Sequence, residues 1–580
     1  MDQPPESSAP ASRAANETNV KETIESILIA FILAFMFRAF VVEAFVIPTG
    51  SMAPTLLGAH LRYTCEDCGF DYEVNYQSSE ADDDDVAIPA TARLRIPRNG
   101  VVDKTYRVHC PNCGHRVPRA AASGSENDAT SPPVHYGDRI LVLKYLYLFH
   151  PVQRWDVVVF KSPYKPAEHQ YQQNYIKRLV GKPNESILIL DGDIYVSTKG
   201  RQSTLDDFVV QTKPRWAQEA LWRVVFDNDY QPRGASRALT GPQNQRLMDP
   251  PFIQPWTPSA GEGWDLSGKR VFTFDNLSGA GALRFNADAN PHTFAFTDHL
   301  AYDITVEQNR PRSPADTFLF GDFDPREREM IEPDNAVSDV KLAMYYQRTG
   351  GDGPLRLSMK KLDVEFIVEI TPAQARLTLR RDGREEVLAE AAMPTDCRNP
   401  AFLELMNVDY QVTLRVNNKD LLVTTPQQYA PDKRMLMQAF ETGQKLPRPT
   451  VEIAAERQSS RVSHLSLWRD VFYTTRNADY QGGGPLRSAN PFNFPERVMH
   501  LGADEYFTCG DNSLISLDGR YWEEPIDLPA EHLHAQAGVV PDRFLLGKAF
   551  FVYWPAGFRP IQRETVPSLI PNFGKMRFIH

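Results

Sequence analysis

Cysteine is scarce, six residues in a chain of 580, which excludes a small disulfide-dense scaffold. Positive charge is not in surplus either: 63 Lys and Arg stand against 74 Asp and Glu, a net charge of −11. The chain therefore offers no global footprint for nucleic acid, which is excluded as the expected partner. Nor is the composition that of a disordered chain, since 42% hydrophobic and 24% charged residues fit a folded one. No fixed-period repeat is visible. Long apolar runs are missing but for one near the N-terminus, and that one argues against a purely soluble protein. At roughly 150 residues per domain the length implies about three or four domains.

Residues 1–23 are polar and rich in Ala, Ser and Pro, and are predicted to be a disordered tail. The run Ile24–Val42 reads as a single-pass membrane anchor, 19 residues long, with Glu25 and Arg38 near its two ends. As a helix rising ~1.5 Å per residue it would reach about 28 Å. A cleavable signal peptide would have a basic start and an Ala-x-Ala exit, which this run lacks; a buried core helix is the alternative. Only Arg13 and Lys21 precede the run, so charge fixes its orientation poorly.

After the run, a strand-like segment Val41–Ile47 leads into Pro48-Thr-Gly-Ser-Met52. Residues 59–136 carry two cysteine pairs on either side of a polar stretch containing Asp82–Asp85. Strand patterns then follow at Arg139–Lys144, Asp156–Phe160, Tyr175–Val180 and Ile187–Val196. From 197 to 485 runs a long insertion of alternating segments, such as Val364–Ile370 and Tyr410–Val416. Period-2 alternation between Asp, Asn, Gly and Pro turns predicts an all-β sandwich. The expected fold class is mainly β.

Four stretches carry the chemistry: Phe45–Leu56, Gly137–Lys144, Arg154–Phe160 leading to Tyr175–Gly181, and Gly510-Asp-Asn512 with Ser516, Asp518 and Arg520. Singly, each is a turn beside a strand. In this order, behind an apolar run, they resemble the boxes of the type I signal peptidases, serine proteases that use a Ser-Lys dyad. The resemblance covers residues 24–58, 137–196 and 499–556. It implies a β-rich catalytic domain made of 43–58, 137–196 and 499–580, lying outside the cytoplasm on an anchor in the plasma or inner membrane. The implied partners are the lipid bilayer and the signal peptides of secretory precursors, cut after small residues. No cofactor is implied for catalysis.

By position in those boxes, Ser51 matches the nucleophile and Lys177 the general base. A serine hydroxyl needs a base during attack, and a lysine serves at neutral pH only if burial depresses its pKa. The apolar setting of Lys177 permits that. Thr49 matches the hydroxyl that completes the oxyanion hole, and Ser516 the serine that orients the lysine. Asp518 and Arg520 match a structural ion pair, and Arg178 follows the base. Phe45, Ile47, Leu141 and Val142 are expected walls of shallow substrate pockets. The last box departs from the family at Ser513, Leu514, Ile515 and Gly519, which puts its polar network in doubt; Trp155 stands where the family has a glycine.

Cys65-Glu-Asp-Cys68-Gly and Cys110-Pro-Asn-Cys113-Gly-His are two knuckles whose four thiolates suit a tetrahedral structural Zn²⁺ in a zinc-ribbon-like insertion. Disulfides are the alternative. His115 is expected at the surface, and Cys397 and Cys509 as isolated cysteines. The 197–485 insertion weakly resembles laminin-G or concanavalin-like jelly rolls. Its ends should lie together, and it is expected to fold as a separate unit carrying no catalytic group; no ligand for it can be read. The rival functional reading is a membrane-tethered binding protein in which a degenerate peptidase scaffold displays the sandwich.

Overall fold

The computed structural model describes residues 14–78, 108–115, 134–163, 173–234, 238–240, 246–248, 251–303, 305–308, 335–474, 498–522, 524–529, 532–555 and 572–580. Residues 1–13 and the Asp82–Asp85 stretch lie outside them. The described chain is mainly β.

One long helix, Ala14–Phe40, opens the fold, so residues 14–23 are helical and not part of a disordered tail. The helix stops at Phe40, and a strand begins at Val42. The apolar run is therefore cut short of its expected end. Among the described residues no helix is long and apolar enough to cross a membrane, which corrects the expected 24–42 span. Even so, Ile24, Leu28, Phe31, Leu33, Phe35 and Phe40 are each 60% exposed or more and pack on little of the body.

The first sheet draws its strands from distant parts of the chain. Its order is Val42–Val46, Arg139–Leu143, Leu545–Trp554, Val157–Lys161, Asn174–Gly181, Glu505–Cys509 and Val540–Pro541, with Arg577–Phe578 added to Leu545–Trp554. All of these pairings are antiparallel. Both faces are covered. Ile140, Val142, Val157, Val159 and Ile176 fill one core, and Val158, Phe160 and Leu179 fill another with Trp522 and Phe544. This is why Val157–Lys161 reads Val-Val-Val-Phe without alternation: a strand buried on both sides has no polar face to show.

A small sheet of Ser186–Leu190, Asp193–Ser197, Val209–Val210 and Met499–His500 stands at the root of the insertion. The pair Ile187↔Met499 brings the insertion's two ends together. Beyond it, the 20-residue strand Thr450–Arg469 forms a spine. Val271–Phe285, Val340–Gly350, Leu355–Lys361 and Arg223–Asp227 all pair with it. Burial alternates residue by residue along Val364–Ile370, as the period-2 pattern requires.

The insertion packs against the first sheet and the turn of Ser51. Ala217, Leu221, Val471 and Tyr473 share a core with Val180, Ile187, Phe507 and Cys509. Leu300 and Tyr302 pack on Ala53, Leu57 and Ile515, beside Ser51. Alternation says that a strand has a buried face; it cannot say which neighbour buries it.

Candidate active site

Ser51 sits in a single 3₁₀ turn, Gly50–Met52, that follows the extended Thr49. Gly50 has no room for a side chain, because the Tyr302 ring lies against it. Lys177 occupies the middle of Asn174–Gly181, between Val157–Lys161 and Glu505–Cys509. Its Nζ donates to Ser51 Oγ at 2.6 Å, and both side chains are buried. Burial lowers the lysine from 10.5 to about 8, with Asp518 pulling the other way and Arg520 adding to the fall.

The box around Gly510 holds this pair from behind. Asn512 N–H donates to the Ser51 carbonyl at 3.1 Å. A Cβ on Gly510 would run into the Ser51 carbonyl and Ser516 Oγ, so the box needs glycine there. Asp518 takes Arg520 in a two-point bond, Nε to Oδ1 at 2.8 Å and NH2 to Oδ2 at 2.7 Å, and also accepts from Gly510 N–H. Arg178 grips Asp511 in the same fork-to-fork manner, both contacts 2.7 Å, and adds the carbonyls of Trp155 and His580. Asp511, Asn512 and the C-terminal residue are contributors that the motif reading did not single out. Of these only the first two were signalled, by lying inside the box.

Two expected roles are not made in this arrangement. Ser516 is buried beside the lysine's neighbours, but its hydroxyl has no hydrogen-bond partner and does not reach Lys177. The Thr49 side chain is exposed and makes no capping bond. The doubt about the altered box resolves the other way. Ser513 Oγ accepts from Arg520 NH1 at 2.7 Å and from Thr474 N–H at 2.8 Å, while Ile515 packs with Tyr302. Two of the four departures, Ser513 and Ile515, are thus met by residues of the insertion. Trp155 keeps a left-handed φ of 77°, a backbone suited to glycine, and is held there by burial beneath Lys213, whose Nζ lies 5.3 Å from its ring.

Of the four expected pocket residues, Phe45, Ile47 and Val142 gather with Met52 and Ile140 in one cluster. Leu141 does not join them. Its strand alternates, so Leu141 faces away from the side on which Ile140 and Val142 are buried. Ile579 shares this space, and Arg577, two residues before it, donates to Asp138 at 3.0 Å.

Away from the dyad, the four cysteines converge. Cys65 and Cys113 Sγ are 3.7 Å apart, Cys68 and Cys110 Sγ 3.6 Å, and all four sulfurs lie within 4.8 Å of one another. A tetrahedron with Zn–S bonds of ~2.3 Å has edges of about 3.8 Å. A disulfide would need about 2.05 Å, and none is formed among these cysteines. The two knuckles are built alike. Gly69 N–H donates to Cys65 O and Gly114 N–H to Cys110 O, each at 2.8 Å, with both glycines at positive φ. His115, expected at the surface, is buried, because its carbonyl closes the second knuckle on Cys110 N–H.

A family model described as signal peptidase, peptidase S26, matches residues 20–67, 120–224 and 438–554, blocks that contain Ser51, Lys177 and Ser516. Signal peptidase I of Pseudomonas aeruginosa is 39% identical over 88 residues, 15% of this chain and 26% of that protein. Signal peptidase I of Leptolyngbya laminosa is 29% identical over 116 residues, 19% of this chain and 53% of that protein. The chain therefore spans about a quarter to a half of the length of these relatives. Among solved structures, a carbohydrate binding module from Bacillus subtilis aligns at 8% identity over 37% of this chain and 96% of its own, with a TM-score of 0.21. The resemblance to type I signal peptidases rests on the segments that carry the dyad.

Proposed function

We propose that this chain is a serine endopeptidase of the signal-peptidase type, removing signal peptides after small residues. The observation that carries the reading is the buried 2.6 Å contact between Lys177 Nζ and Ser51 Oγ, with the lysine held near 8. Neutral Lys177 takes the Ser51 proton as Oγ attacks the scissile carbonyl. The oxyanion that forms is stabilised by the Ser51 N–H and, once substrate is present, by the Thr49 hydroxyl. Collapse leaves an acyl-enzyme on Ser51 and passes the proton from Lys177 to the departing amine. Lys177 then takes a proton from a water that attacks the acyl carbonyl, and returns it to Ser51 Oγ as the ester bond breaks, which releases the acyl group. The cluster of Phe45, Ile47 and Val142 supplies an apolar wall suited to small side chains.

Two further parts of the reading concern the setting. The exposed apolar side chains of the N-terminal helix support attachment to a bilayer, with the catalytic sheet outside the cytoplasm. Cys65, Cys68, Cys110 and Cys113 hold a structural Zn²⁺ that ties two loops together and takes no part in hydrolysis. Metal analysis of the purified protein is expected to give about one equivalent per chain, lost on Cys65→Ser or Cys110→Ser. Intact-mass data showing two disulfides and no metal would replace zinc with cystines.

The test of the enzyme is turnover of a precursor with an Ala-x-Ala site by the detergent-solubilised chain. kcat/KM should rise with pH through about 8, since the deprotonated amine is the active form. Lys177→Arg keeps the charge but stays protonated at any working pH, so activity should fall ~10⁴-fold or more, as for Ser51→Ala. Substantial turnover by purified Lys177→Arg would overturn the assignment.

A further inference from the structure

Behind the turn that carries Ser51 lies a cavity of about 290 Å³. That is near the lower end of small-molecule sites, ~300–1,000 Å³. Three parts of the molecule wall it: Phe70 from the first knuckle, Trp222 and Trp468 from the insertion, and Pro54 from the loop after Ser51. The hydrolysis described above makes no use of it.

Arg223 and Arg469 both line this cavity, and they are direct cross-strand partners in the antiparallel pairing of Arg223–Asp227 with Thr450–Arg469. Residues so paired share a face, with Cβ atoms ~4.5–5.5 Å apart, and like charges there are destabilising. Both are buried, 5% and 4% exposed. Neither makes an ion pair among the described residues; every hydrogen bond they make goes to a neutral acceptor. Arg469 donates to the carbonyls of Asp298, His299 and Asp470. Arg223 donates to the carbonyls of Ala220 and Trp222 and to Thr55 Oγ1. Arg223 Nε and Trp222 Nε1 are buried with no acceptor at all. Burial brings the Arg223 guanidinium down to about 10, with Asp511 pulling the other way and the charge of Arg469 adding to the fall.

Arg178 and Arg520 are buried against carboxylates, Asp511 and Asp518, whereas Arg348 is buried with a hydrogen bond to the Gly353 carbonyl and no ion pair among the described residues. Here two buried cations and two idle donors meet at a cavity with aromatic walls. Asp298, Asp303 and Asp470 act on Arg469 through space, and Asp511 and Asp470 on Arg223, but among the described residues no carboxylate is in ion-pair contact with either guanidinium. On another wall, Asp71 and Glu73 are already engaged, by the Thr64 hydroxyl and by Arg62 and Lys575. They make that side unwelcoming to a second anionic group. We propose that this cavity binds a small amphipathic anion, a carboxylate or phosphate on a flat apolar body, with the anionic end at Arg223 and Arg469 and Trp222 Nε1 as a further donor.

Isothermal titration of the detergent-solubilised full chain tests this with benzoate, phenyl phosphate, inorganic phosphate and, as the neutral control, benzyl alcohol. Benzoate or phenyl phosphate should bind at one saturable site, ~10-fold or more tighter than inorganic phosphate and than benzyl alcohol. The tighter of the two organic anions identifies the headgroup. Arg223→Gln should weaken that binding ~10-fold. Trp222→Phe keeps an aromatic wall and removes only the N–H, and should weaken it about three-fold, so the test survives if Arg223→Gln fails to fold. Absence of saturable binding by either organic anion at about 10 mM would overturn the site. So would equal binding of benzyl alcohol, or unchanged affinity in Trp222→Phe.

Discussion

Lys177 in the first sheet and Lys361 at the root of the insertion are both buried on strands, yet their surroundings treat the charge oppositely. Lys361 Nζ contacts Asp339, has Asp193 at 3.9 Å and lies 4.1 Å from the Tyr410 ring; its pKa is raised well above the ordinary value. Lys213 repeats the pattern on Asp409 and on Asp470 at 2.7 Å. Asp193, Asp339 and Asp409 are close enough together to hold a cation, and the two ammonium groups already fill that role. Among the described residues, Lys177 has only the neutral Ser51 hydroxyl at bonding distance. Its nearest carboxylate in effect, Asp518, is held at both oxygens by Arg520. Burial pushes every one of these lysines toward neutrality. A free carboxylate at contact reverses the push, and the Asp518–Arg520 pair denies Lys177 that contact.

Replacing Lys361 with Met should break the insertion side of this comparison most severely. It would leave Asp339 and Asp193 buried without their cation, at an expected loss of about 3–5 kcal/mol in urea denaturation. An unchanged midpoint would mean that the carboxylates are neutral and the pairing is incidental. Lys177→Met should act in the opposite direction. The folded pKa of about 8 lies below the ordinary 10.5, so between these values the unfolded chain binds more protons than the folded one. The lysine's cost is therefore full below about 8 and gone above 10.5. Its removal should stabilise the fold by up to roughly 3 kcal/mol at pH 7, with the gain fading as pH rises through that window. A gain that did not depend on pH would point to packing, not charge.

The smallest effect is expected at Ser516. Its hydroxyl bonds nothing in the free protein, so Ser516→Ala should lower kcat less than ~10-fold and leave the pH profile near 8. A loss as deep as that of Ser51→Ala would place the hydroxyl on Lys177 during turnover.

Much of this was readable residue by residue. The alternation in Val364–Ile370 announced a strand with one buried face, and the spacing of the four cysteines announced their convergence. The order of the boxes around Ser51, Lys177 and Gly510 announced that they would meet. Other features had no local sign. The resemblance names Leu141 and Val142 together as pocket walls by position, although a strand sends neighbours to opposite faces. Tyr302, which walls Gly50, lies in a segment without any motif. Arg223 and Arg469 are unremarkable until a sheet sets them side by side.

By itself, then, the sequence determined which chemistry was on offer: a hydroxyl after a Thr-Gly turn, an amine in an apolar strand, and four thiolates in two glycine-closed knuckles. Residue type and short-range spacing suffice for that, because turns and strand alternation are local. Only the tertiary structure decided what each group would do. The lowered pKa of Lys177, the charge of Lys361 and the absence of an ion pair at Arg223 and Arg469 depend on which carboxylates arrive within a few ångströms. Those arrivals come from distant segments, whose burial is set by the packing of the insertion against the first sheet.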